Sequence, residues 1–166
     1  PYYSYDNLGW TEFPAPSGDM YSVTFTQDPV WIAHSIPYAT SHEQQLIDDV
    51  QGPYVETSVL ATSEGGRPVH RLTITAPDGL TNKHGVWFVA RQHAWEASGS
   101  WIADGLARWL VSPDPQAIRL RTKAVVNLVA IMDVDNVVLG GSGKDQLPID
   151  FNRDWRGTPH WNAVRE

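Results

Sequence analysis

The chain has 166 residues, 42% hydrophobic and 19% charged, and its 12 Lys and Arg against 19 Asp and Glu give a formal charge of −7. That composition supports a packed core and excludes intrinsic disorder, while the acidic balance argues against nucleic acid and anionic membranes as partners, because both need clustered cations. The absence of cysteine excludes disulfides, Cys-ligated zinc and thiol catalysis, and no apolar run has the length of a membrane span.

Residues 1–38 are rich in aromatic side chains and read as the end of a small β-rich domain. Tyr21–Thr26 alternates and favours β structure, and Val30–Ala33 reads as a second strand after the Asp28-Pro29 turn. Residues 39–166 read as a separate unit. Thr40 or Ser41 opens a helix through Glu43, Leu46, Ile47 and Val50, which Gly52-Pro53 stops. Val55–Thr62 and Val69–Ala76, joined by Gly65-Gly66, predict an antiparallel pair. Residues 86–90 form a continuous apolar run, as expected of a strand covered on both faces.

A helix follows at about 97–111, with Ile102, Leu106, Trp109 and Leu110 forming one stripe, and Pro113 and Pro115 ending it. Residues 124–132 are a second buried strand. Strand, helix and strand make a right-handed parallel βαβ unit, so the expected fold is α/β, a mixed, largely parallel sheet with helices on both faces. Residues 133–150 read as an irregular polar loop. The eight Trp residues are dispersed, which favours packing over a binding platform. Pro1 at the start and a helix-like opening at Trp161–Arg165 read as a piece of a larger protein.

Sites in parallel sheets lie beyond the carboxyl ends of the strands. Two segments fall there, Arg91–Glu96 and Asp133–Asn136. His93 and Glu96 sit three apart at a strand-to-helix junction, where an imidazole and a carboxylate can reach one metal ion. About 0.7 such pairs are expected by chance in this composition, so the spacing alone is weak; a surface His beside a helix-start Glu is the plainer alternative. In Asp150–Trp155, Asn152 and Arg153 offer an amide and a forked guanidinium to one carboxylate; the alternative is an Arg bridged to Asp150 or Asp154. Gly140–Lys144 fails as a phosphate loop, because Val138 and Asp145 stand where Gly and Ser or Thr are needed. There is no Gly-x-Ser-x-Gly elbow, and the other histidines show no ligand spacing.

Four ordered segments resemble the zinc metallocarboxypeptidases of the M14 family, in particular the cytosolic carboxypeptidase-like branch and its bacterial relatives. Ile36–Thr40 is similar to the Pro-Tyr-Thr linker into the catalytic domain. Ala90–Trp101 is similar to the His-Pro-Gly-Glu zinc motif, here His-Ala-Trp-Glu. Asp133–Val137 stands where members carry Asn-Pro-Asp-Gly-Val or Asp-x-Asp-Gly-Val. Gly143-Lys144 with Pro148–Trp155 is similar to Gly-Lys…Pro-x-Asp-x-Asn-Arg-Asp-Tyr.

The resemblance implies Zn2+ held by His93 and Glu96, a terminal-carboxylate clamp of Asn152 and Arg153, Arg91 lining the site, and Lys144 polarising the scissile carbonyl. It implies removal of the C-terminal residue of peptides or proteins by a zinc-activated water, with the third zinc ligand and the general-base Glu beyond Glu166. A cytoplasmic location is expected. Asn136 replaces Gly, and Asn tolerates the positive φ such a turn would need. Two other readings are a non-catalytic relative that binds peptide C-termini and a Trp-rich interaction module.

Overall fold

The computed structural model describes all residues 1–166, and the chain divides into two compact units, residues 1–37 and 38–166. The first is a three-stranded antiparallel sheet in the order β2-β1-β3, from β1 (Tyr2–Ser4), β2 (Thr11–Glu12) and β3 (Trp31–Ala33). Edge-to-face contacts join Tyr3 to Tyr5, Phe13 and Phe25 at centroid distances of 5.4–5.7 Å. Residues 21–26, predicted as a strand, pair with nothing and are not one. The alternation there feeds the aromatic cluster instead, with Phe13 packing on Tyr21 and Phe25.

The second unit is mixed α/β. Its elements are α1 (Thr40–Asp49), β4 (Val55–Thr62), β5 (Pro68–Ile74), β6 (His84–Val89), α2 (Ala97–Val111), α3 (Pro115–Lys123), β7 (Ala124–Val129), α4 (Val134–Leu139) and α5 (Asn162–Arg165). The sheet order is β4-β5-β7-β6. β4–β5 and β5–β7 are antiparallel, and β6–β7 is the parallel pair of the βαβ unit. β6 ends this strand order, and its Val86 and Trp87 are exposed instead of covered on both faces as expected.

β7 reads as buried and is: Val126, Leu128 and Val129 are all within the core. The buried face of α2 is Ser100, Ala103, Asp104, Ala107 and Leu110. Ile102, counted in the predicted stripe, is exposed, because small residues let the helix lie close while Leu110 fills the remaining space. Complete burial of Leu110 contributes about 1.5–3 kcal/mol.

Two helices form where the sequence reads as breaks. Pro115 begins α3 from the first helical position, where a missing N–H does no harm, and the Asp114 carboxylate caps the N–H groups of Gln116 and Ala117. Asp133 likewise caps α4 at Asn136, which is helical and takes no positive φ. Of the eight Trp residues, five are exposed and three half-buried, so they lie at the rims of packed regions and none is fully enclosed.

Candidate active site

The parallel pair continues past its strands. Ala90 N–H donates to Val129 O at 2.9 Å, Met132 N–H to Ala90 O at 3.2 Å and Asp133 N–H to Arg91 O at 3.0 Å. Arg91 and Asp133 are therefore registered side by side at the carboxyl end of the sheet, and the loop 91–96 begins from a fixed point.

Arg91 has φ +59, a left-handed backbone that a non-glycine residue adopts only under local constraint. Its buried side chain supplies that constraint. Nε donates to Ala94 O at 2.7 Å and a terminal nitrogen to Tyr38 O at 2.5 Å. The guanidinium is thereby buried between the loop and the Tyr38 carbonyl and does not face outward, unlike the placement expected for a residue lining a substrate site.

The turn directs His93 inward, where it is 3% exposed. Its Nδ1 lies 2.9 Å from Glu96 Oε1, and its Nε2 lies 3.0 Å from Asp150 Oδ1. Lys144 Nζ also approaches Nε2, at 3.3 Å. Lys144 arrives there because Gly143, at φ +75, packs directly on the backbone of His93 and Ala94; a Cβ would stand 2.5 Å from Asp133 Oδ2. Ser142 O accepts the Trp95 N–H at 3.0 Å and ties the same segment to the loop.

Asp150 joins the two predicted constellations. Its Oδ1 meets His93 and also accepts the N–H of Asn152 at 2.7 Å. This caps a single 3-10 turn, Phe151–Arg153, that presents Asn152 and Arg153 to solvent. Partial burial acts to raise the Asp150 carboxyl, but the bonds from His93 and Asn152 and the Lys144 charge together hold it below the usual carboxylate range. Arg153 forms no ion pair with Asp150 or Asp154. Asp154 is instead committed to the N–H groups of His160 and Trp161.

Asp133, buried at the end of β7, accepts from Asn136 Nδ2 and from Gln146 Nε2. Burial is the largest influence on its carboxyl and pushes it up, against those hydrogen bonds. Asp150 and Gln146 have contacts here that residue spacing did not reveal. The first position of the Asp-x-Asn-Arg run marked Asp150; nothing in the sequence marked Gln146.

The donor chemistry fits zinc: an imidazole nitrogen and a carboxylate oxygen are ordinary ligands, and a carboxylate behind the other ring nitrogen is the usual partner of a ligating His. No group of three His, Cys, Asp or Glu is arranged to hold an ion, and the two candidate ligands expected from the sequence, His93 and Glu96, lie 2.9 Å apart.

The family model for zinc carboxypeptidases, peptidase M14, matches residues 44–165. The chain belongs to the zinc carboxypeptidase family. That family is one of metalloprotease hydrolases, and its description implies zinc as the cofactor. Cytosolic carboxypeptidase 2 of Danio rerio is 32% identical over 152 residues, covering 82% of this chain and 21% of that protein. Human cytosolic carboxypeptidase 6 is 29% identical over 141 residues, covering 81% of this chain and 28% of its own length. Among solved structures, a metallo-carboxypeptidase from Burkholderia cenocepacia superposes with TM-score 0.80 at 27% identity, over 93% of this chain and 43% of that one. One from Pseudomonas aeruginosa, in complex with (2-guanidinoethylmercapto)succinic acid, gives 0.81 at 26% identity, over 98% and 45%. The chain thus spans less than half the length of these carboxypeptidases. No helix is long and apolar enough to cross a membrane.

Proposed function

We propose that this chain carries part of the catalytic site of a cytoplasmic zinc metallocarboxypeptidase that removes the C-terminal residue of peptide or protein substrates. The observation that carries the reading is Asp150, whose one oxygen meets both His93 and the N–H of Asn152. It sets a candidate metal ligand next to a candidate carboxylate clamp.

His93 and Glu96 are the proposed zinc ligands, with the remaining ligand and the general base outside this chain. Zinc, when bound, would polarise the scissile carbonyl and acidify a water molecule. Asp150 holds the His93 ring by accepting from Nε2–H, which leaves Nδ1 as the ligating nitrogen. Asn152 and Arg153 bind the free carboxylate of the chain end; a planar guanidinium suits that task through two parallel N–H bonds. Only a C-terminus presents an α-carboxylate one residue from the scissile bond, so the clamp selects against internal peptide bonds. Lys144 is assigned to the carbonyl oxygen, reaching it on a flexible stem. Arg91 serves as a brace of the ligand loop.

The test is metal analysis and peptidase assay of the intact protein. Stoichiometric zinc, lost in His93→Ala, is expected. Arg153→Ala should raise KM for peptides with free C-termini at least about tenfold, the loss of a charge-assisted contact. It should leave binding of amidated peptides unchanged. No zinc in the native protein, or equal effects on both peptide types, would overturn the reading.

A further inference from the structure

One buried side chain ties the loops of the site together. Gln146 follows α4 and is 8% exposed. Its Nε2 donates to Gln92 O at 2.9 Å and to Asp133 Oδ2 at 2.7 Å, and its Oε1 accepts the Phe151 N–H at 2.9 Å. No hydrogen-bonding capacity of this amide goes elsewhere. A second bond acts alongside it: Trp155 Nε1–H donates to Gln92 Oε1 at 2.6 Å.

The targets are specific. The carbonyl of Gln92 and the N–H of His93 belong to one rigid peptide plane, and the N–H of Phe151 and the carbonyl of Asp150 belong to another. Gln146 therefore grips the peptide entering His93 and the peptide leaving Asp150. These are the two residues whose side chains meet at 3.0 Å. Its third bond, to Asp133, references both loops to the end of β7, where Asp133 N–H is paired with Arg91 O.

We propose that Gln146 is a positioning residue of the site: it fixes the separation of His93 and Asp150, and so the aim of the His93 ring, and it seats the Asn152–Arg153 turn against the ligand loop. The proposal rests on the functional reading above. A neutral amide suits the place because it donates twice and accepts once. A carboxylate would meet the Gln92 carbonyl and the Asp133 carboxylate without protons to offer, and an apolar side chain would leave the Gln92 carbonyl and the Phe151 N–H unpaired and Asp133 Oδ2 with Asn136 alone.

Two variants of the intact protein separate the bonds. Gln146→Glu keeps the acceptor for Phe151 N–H and loses both donors. Gln146→Met, of similar length, loses all three. Zinc affinity is measured by chelator competition and KM with a free C-terminal peptide, alongside the melting temperature. Both variants should bind zinc at least about tenfold more weakly, the usual scale for groups that support metal ligands. KM should rise clearly in Gln146→Met and by a smaller factor in Gln146→Glu, whose clamp turn keeps its anchor. Should Gln146→Met fail to fold, zinc affinity of Gln146→Glu decides alone. Wild-type zinc affinity in the Gln146 variants, while His93→Ala loses the ion, overturns this inference and leaves the functional reading intact. A weaker zinc affinity, a higher KM and a lower melting temperature, all changed to the same extent in both variants, overturn it as well, since mere packing moves every readout together. A native protein without zinc overturns both.

Discussion

Asp150 Oδ1 lies 3.0 Å from Nε2 of His93, across 57 residues of sequence. In the tautomer that donates Nε2–H to Asp150, Nδ1 carries no proton and stands open to a metal ion beside Glu96, whose Oε1 lies 2.9 Å away. Asp150→Asn keeps an acceptor oxygen and removes the charge. Zinc affinity of the intact protein should fall about tenfold, with the fold retained. Chelator competition on protein checked by circular dichroism measures it, and an unchanged affinity would separate Asp150 from the metal.

Arg91 belongs to stability more than to substrate. Its guanidinium bonds to the Ala94 and Tyr38 carbonyls hold a left-handed backbone immediately before His93. Arg91→Met should destabilise the protein by about 2–4 kcal/mol, because charged hydrogen bonds are lost and buried carbonyls left unpaired. Urea unfolding gives the number, and amide exchange should show loss of protection across residues 91–96. A full-strength fold with a raised KM would return Arg91 to the substrate.

His70 makes stability depend on pH. Its hydrogen bond to the buried Glu43 carboxylate, 3.1 Å away, raises its pKa above the usual histidine value, opposed by partial burial. A pKa raised by folding means that the native state holds the proton more tightly than the unfolded chain. The associated stability is complete below the ordinary histidine pKa of about 6.5 and is lost as pH rises through the higher folded value. His70→Gln should remove this decline. Melting curves of wild type and variant from acid to mildly alkaline pH, compared as a difference, test it; parallel curves would count against the pair.

The legible parts of the fold are those carried by local periodicity. The hairpin β4–β5, the strands β6 and β7 and the helix α2 all stand where alternation or apolar runs place them. What escaped depends on partners distant in sequence. Pro115 looks like a terminator until Asp114 is seen capping the helix it begins. Val86 and Trp87 read as core from an unbroken apolar run, yet both are exposed, because what covers a strand's faces is set by elements distant in sequence. For the site, residue types and motif order indicated His93, Glu96, Asn152 and Arg153; in the structure His93 and the Asn152 N–H share one oxygen of Asp150, Glu96 lies beside His93, and Arg153 is exposed on the same turn as Asn152. The orientation of Arg91 and the bridging by Gln146 depend on a turned backbone and on loops meeting in space, which spacing does not encode.

Tyr38 and Asp104 offer a test of packing at the head of this unit. The phenol donates to Asp104 Oδ2 at 3.1 Å, and Arg108 holds the other oxygen. Burial pushes the Tyr38 hydroxyl up, with the Asp104 charge adding to it, so the group stays protonated and donating throughout the working pH range. Tyr38→Phe keeps the ring that stacks on His42 and removes only the donor. A loss of about 1–2 kcal/mol by urea unfolding is expected.

Lys144 has the most informative position, because its contact depends on the state of its neighbour. An ammonium only donates, so Nζ at 3.3 Å from Nε2 is bonded to the ring only when Nε2 carries no proton. In the tautomer that leaves Nδ1 free for a metal, Nε2–H donates to Asp150 and the ring offers Lys144 nothing. The ammonium is then free to turn towards a substrate oxygen on its four-carbon stem. Lys144→Met should therefore lower kcat about 100-fold, the scale for losing one donor to a developing negative charge, while zinc affinity stays within about twofold. The reverse pattern, weakened zinc with kcat per bound ion unchanged, would place Lys144 with Asp150 as a support of the imidazole.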